Sequence, residues 1–143
     1  MKPIDVAKAA LAGLVVLVVN LLATTAIIFA WAMLIEPGRD HAYYNALAPR
    51  IGATSGPMGG VVLMFVAAWL LGRRRPERHA VKFAASMWVA YAVLDLLSGL
   101  PMVALGDLLT VRFGFSLLTA LVAALVGGAL ARRRTPPAEA QAG

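Results

Sequence analysis

The sequence predicts an all-α protein, an integral four-helix transmembrane bundle with both termini in the cytoplasm. Three observations carry that prediction. Four predominantly apolar stretches, of about the length that crosses a bilayer, fill most of the 143 residues. The composition is 61% hydrophobic, with a mean hydropathy of +0.80, too apolar for a soluble domain of this size. Nearly every arginine and lysine lies between or outside the stretches.

The first span runs from Ala9 to Ile35, between Lys8 and Glu36-Pro37. A bilayer core needs about 20 apolar residues of helix, so this span is expected to tilt or to project beyond the membrane. It is also too long for the apolar part of a signal peptide, usually about 7–15 residues. The second span ends at Gly72, before Arg73-Arg74-Arg75. Ser55-Gly56-Pro57 reads as a helix start with proline in the first turn, which gives a helix over 57–72. The connection 36–56 is then an outer loop. Within it Asp40 is placed to cap a short interfacial helix over 40–48, ended by Pro49 and anchored by Tyr43 and Tyr44 in the headgroup layer. The third helix spans 81–100 and stops at Pro101. The fourth spans 107–131, with Asp107 after Gly106 as its cap and Arg132-Arg133-Arg134 at its end. Residues 1–134 thus form a single transmembrane domain, and the alanine- and proline-rich tail 135–143 reads as disordered.

Orientation follows from the basic residues in the short flanks. With both ends inside, the cytoplasmic side holds Lys2, Lys8, Arg73, Arg74, Arg75, Arg78, Lys82, Arg132, Arg133 and Arg134, against Arg39, Arg50 and Arg112 outside. This is the pattern of a multi-pass protein of a bacterial-type inner (plasma) membrane. The cytoplasmic arginines are expected to attract anionic lipid headgroups, at about 1 kcal/mol per basic residue near the surface. That placement also accounts for the net charge of +6, so no nucleic-acid partner is expected.

Composition excludes several chemistries. Without cysteine there is no thiol catalysis, disulfide exchange or cysteine-held metal or cluster. The two histidines, His41 and His79, fall in predicted loops, whereas a haem between membrane helices uses histidines within them. Glu36, Asp40 and His41 form an acid–histidine cluster whose spacing fits no metal motif. No metal and no cofactor are expected. The first helix lacks the glutamate that small multidrug exporters carry there. Ala42-Tyr43-Tyr44-Asn45 shares only an alanine–asparagine spacing with the membrane-associated eicosanoid and glutathione enzymes, without their basic residues.

The informative residues are polar groups in apolar spans. Asp95 lies about 20 Å above Lys82 at 1.5 Å per residue, where a carboxylate needs water, a proton or a partner. Trp88, Tyr91 and Ser98 share its helix face. One reading pairs Asp95 with Arg112 on the neighbouring fourth helix, which predicts non-additive losses of stability on mutating both. The other makes Asp95 an ion, proton or cation site. In the first helix Gly13, Asn20, Thr24 and Trp31 fall on one arc, either as interhelical glue or as the far wall of a polar cavity with Tyr91 and Asp95. Gly56 and Gly60 make a GxxxG spacing that favours close packing of the second helix. Ser116, Thr119, Ala123 and Gly127 give the fourth helix a small-residue face. In the outer loop Glu36, His41 and Tyr44 are candidates to touch a ligand if the loop is a lid.

Three function classes follow. The first expectation is a non-enzymatic accessory or interaction subunit, with a homo-oligomer or a membrane-protein partner. The second is a small transporter or channel built on Asp95, Tyr91, Ser98, Asn20 and Thr24. The third is a lipid-active enzyme using the outer loop.

Overall fold

The computed structural model describes residues 2–75, 77–100 and 110–132. Helix α1, Pro3–Ala30, continues into a π-helical turn, Trp31–Ile35. It is followed by α2, His41–Gly72, α3, Glu77–Gly99, and α4, Val111–Arg132. All four helices are long and apolar enough to cross a membrane, so the chain is built as a multi-pass helical bundle. The connection 101–106, the cap at Asp107 and the tail 135–143 lie outside the described residues.

The helix starts follow from local chemistry. Pro3 occupies the first turn of α1, where its missing N–H is not needed, and the Lys2 backbone N–H donates to the Asp5 carboxylate at 3.1 Å. The α1–α2 turn is made by Pro37 and by Gly38, whose φ of +80° favours glycine. Asp40 caps α2, accepting from the Tyr43 N–H at 2.8 Å.

The largest departure from the sequence reading is the length of α2. The predicted loop 36–56, the separate helix 40–48 and the helix start at Pro57 give way to one 32-residue helix running through Pro49 and Pro57. Proline inside a helix deprives the carbonyl four residues earlier of its donor. For Pro57 that carbonyl is Ala53, and the Arg112 guanidinium of α4 supplies the donor at 2.7 Å. A neighbouring helix thereby supplies the missing donor.

The helices run alternately up and down. α1 packs on α2 and α3, α4 packs on α2 and α3, and α2 reaches α3 across the centre, leaving α1 and α4 at opposite corners. At the basic end the Asp5 carboxylate meets Arg75 at 2.7 Å, and the Arg75 guanidinium lies 3.9 Å from the Phe83 ring centroid. Arg75 is therefore engaged within the bundle.

Small residues set the spacing near that end. A Cβ built on Gly72 would lie 2.9 Å from the Ala131 methyl, and one on Gly128 3.1 Å from the Ala84 methyl. One on Gly127 would lie 2.5 Å from the Phe65 carbonyl oxygen. Above this layer Met64, Phe83 and Met87 fill the core almost completely. Gly13 brings α1 onto the α3 backbone, where its Cβ would sit 2.6 Å from the Met87 carbonyl oxygen.

Candidate functional site

Toward the opposite end the polar residues gather. Between the four helices lies a cavity of about 450 Å³. Asn20 and Thr24 come from α1, Gly56 and Pro57 from α2, Tyr91 and Asp95 from α3, and Arg112 and Ser116 from α4. Helical periodicity explains the convergence: Asn20 and Thr24, Tyr91 and Asp95, and Arg112 and Ser116 are each four residues apart, so each pair shares one face.

Asn20 is the floor of the site. It is 6% exposed, and its Nδ2 donates to the Gly56 carbonyl at 3.0 Å, joining α1 to α2. Its Oδ1 is buried against Gly59 and accepts no hydrogen bond among the described residues. A Cβ on Gly59 would collide with that oxygen, and one on Gly60 would lie 2.8 Å from the Tyr91 hydroxyl, so either would oblige the facing side chain to move. The GxxxG pair therefore divides. Gly60 gives close approach, whereas a Cβ on Gly56 would meet nothing within 4 Å, and that residue contributes its carbonyl instead.

Asp95 is half-buried on the cavity wall. Among the described residues it makes no ion pair; the interaction found there is Asp5–Arg75. The predicted Asp95–Arg112 pair is not formed. The reason is the Ala53 carbonyl, which the proline leaves without a donor and which holds the guanidinium from across the α2–α4 seam. Both charged groups line the same cavity without neutralising each other directly. The signal for this arrangement was present in the sequence, as a proline inside an apolar span opposite an arginine, but choosing the partner required the tertiary contact.

The other predicted residues separate from the cavity. Ser98 is exposed and its hydroxyl donates to the Asp95 backbone carbonyl at 2.8 Å, within its own helix. Trp88 ties α3 to α4 through Nε1 and the Leu117 carbonyl at 2.9 Å. Trp31 lies in the π-helical turn, and its buried Nε1 finds no acceptor among the described residues. The α1–α2 turn is an internally bonded unit. The Tyr44 hydroxyl donates to the Glu36 carbonyl at 2.7 Å and accepts from the Arg39 N–H at 3.2 Å, and the Tyr43 hydroxyl donates to the Glu36 carboxylate. Glu36 and Tyr44 thus hold the turn together, and His41 is exposed in the first turn of α2. No group of three or more metal-ligating side chains comes together among the described residues.

A second hollow adjoins the first. It is an apolar groove of about 490 Å³ along the α2–α4 seam, lined by Met58, Val61, Val62, Phe115 and Thr119. It shares Ala53, Pro57, Arg112 and Ser116 with the polar cavity. Met58, Val62 and Phe115 are 60–67% exposed, so the groove faces the lipid side of the bundle.

The chain matches no family model, no curated protein and no solved structure.

Proposed function

We propose that this protein binds a small cationic or zwitterionic molecule in its intramembrane cavity, as a binding protein or transporter of the inner membrane. The observation that carries the reading is Asp95. A carboxylate in a membrane span is costly unless it has a partner, water or a proton. Asp95 lines a polar cavity and has no ion-pair partner among the described residues. The expectation of an accessory subunit rested on polar groups being taken up in packing; among the described residues Asp95 has no ion pair and the buried Asn20 Oδ1 no hydrogen bond. No observation favours the lipid-active enzyme, because Glu36 and Tyr44 are engaged in the turn.

The positive-inside count puts the cavity in the outer half of the membrane. Close-packed glycines lie between the cavity and the basic end of the bundle. Transport would require those contacts to part; binding does not.

The test is the melting temperature of the purified protein in lipid nanodiscs, titrated with ethanolamine, choline and glycine. A ligand that binds only the folded state stabilises it by about 2.7 kcal/mol at a hundred times its Kd. At least one ammonium compound is expected to raise the melting temperature of the native protein, and Asp95→Asn to abolish that rise. Equal responses in both proteins, or none in either, would remove the basis for the reading.

A further inference from the structure

We infer that the ligand is a membrane amphiphile: a phospholipid whose zwitterionic phosphoethanolamine head occupies the polar cavity and whose acyl chain lies in the α2–α4 groove. This deepens the reading of the cavity as a cation-binding site and rests on it. Three observations converge on this ligand chemistry.

First, the two hollows adjoin across the α2–α4 seam. They share Ala53, Pro57, Arg112 and Ser116, so a molecule seated in one borders the other. Second, their linings differ in kind. The groove away from the shared residues is lined by methionine, valine and phenylalanine with two threonines, Thr54 and Thr119, whereas the cavity holds a carboxylate, a phenol and an amide. A ligand filling both needs an apolar tail joined to a polar head. Third, the charges are ordered along that path. Arg112 stands at the shared border, and Asp95 lines the cavity alone.

Arg112 gives one N–H to the Ala53 carbonyl, and a guanidinium has five, so it retains donors for a phosphate. Asp95, without an ion-pair partner among the described residues, can accept the ammonium that follows the phosphate in such a head. A head with phosphate alone would leave Asp95 unpaired. A quaternary ammonium would offer it no N–H donor. The order tail, phosphate, primary ammonium matches groove, Arg112, Asp95. The same head could come from free phosphoethanolamine, but the groove commits the proposal to the lipid.

The experiment is native mass spectrometry of the protein released from nanodiscs of phosphatidylethanolamine, phosphatidylglycerol and phosphatidylcholine in equal parts. Retention of one phosphatidylethanolamine per chain is expected, in preference to the other two. Asp95→Asn should lower that retention about tenfold, the loss of one charge-assisted hydrogen bond, and Arg112→Gln should weaken retention of all three lipids. Val62→Trp, which fills the groove from a lipid-facing position and does not depend on core packing, should also expel the lipid. Soluble phosphoethanolamine should still raise the melting temperature of that variant.

Equal retention of the three lipids, unchanged by Asp95→Asn, would mean annular lipid only and would overturn the proposal. If soluble phosphoethanolamine stabilises the native protein through Asp95 while no lipid is retained, the amphiphile is wrong and the cation site stands. If neither binds, both readings fall.

Discussion

At the basic end, Gly72, Gly127 and Gly128 lie under a methyl group or a backbone carbonyl of the next helix, and a single added carbon would force the helices apart. At the other end of the same bundle, Gly56 has open space around its Cα, and its neighbours enclose a polar cavity. Along α2 the two regions are separated by about 24 Å at 1.5 Å per residue. In the first region, close backbone approach and dispersion hold the helices, which is the main source of association where lipid removes the hydrophobic drive. In the second, a few directed hydrogen bonds do so: Asn20 to the Gly56 carbonyl and Arg112 to the Ala53 carbonyl. Small residues close the seams of α2 with α4 and of α3 with α4 without leaving volume there. Holding the bundle with long polar side chains keeps volume for a ligand.

The sharpest way to break this contrast is to place a large side chain in each region. Gly127→Leu would drive carbon atoms into the Phe65 carbonyl and the Ala68 methyl. It is expected to destabilise the protein by about 3 kcal/mol, the upper end for overpacking, read as a fall in melting temperature in nanodiscs. A tolerated leucine would mean that the α2–α4 seam at the basic end is no tighter than the groove above it.

The next largest effect tests the repaired proline. The bond is exposed on the bundle, so Arg112→Met is expected to cost about 1 kcal/mol, the net worth of a typical hydrogen bond. In a Pro57→Ala background residue 57 regains an N–H for the Ala53 carbonyl, and the same arginine substitution should then cost clearly less. The double-mutant cycle should therefore show coupling between Arg112 and Pro57 larger than that between Arg112 and Asp95. The reverse order would restore the ion pair that the sequence suggested.

A smaller effect is expected at Asn20. Interhelical hydrogen bonds in membranes are worth about 0.6 kcal/mol on average and up to about 1.7. Asn20→Ala should lose that amount through the Gly56 carbonyl, with equilibrium unfolding in detergent as the measurement. Loss of several kcal/mol would show that the cavity end is as tightly determined as the basic end.

Much of this was legible in the sequence, for physical reasons. Hydrophobic length and basic flanks identify four spans because a bilayer imposes both. The four-residue spacing of Asn20 with Thr24 and of Tyr91 with Asp95 announced a shared face. What stayed hidden was whatever depends on the partner helix. A proline reads as a helix start when local chemistry is all one has. The continuity of α2 through Pro57 depends on Arg112, which is 55 residues further along the chain. For the same reason the Asp95–Arg112 pair was plausible on depth alone, although the guanidinium is turned toward α2. The division of Gly56 from Gly60 also needed the neighbours, since the spacing treats both alike.

That division gives the smallest prediction and the one with the opposite sign. Gly56 lies within α2 with an ordinary helical backbone, since the positive φ among the described residues belongs to Gly38. A methyl group there meets nothing within 4 Å. Gly56→Ala should therefore stabilise the protein by about 0.4–1 kcal/mol, chiefly by reducing the freedom of the unfolded chain. The backbone carbonyl that receives Asn20 is unchanged by the substitution, so the α1–α2 bond survives. Gly60→Ala, four residues along the same helix, should instead be destabilising, because its methyl would press on the Tyr91 hydroxyl. Opposite signs at the two ends of one GxxxG spacing would show where close packing gives way to the cavity. Equal losses at both would mean that the motif packs along its whole length and that the hollow half of the bundle closes in the membrane.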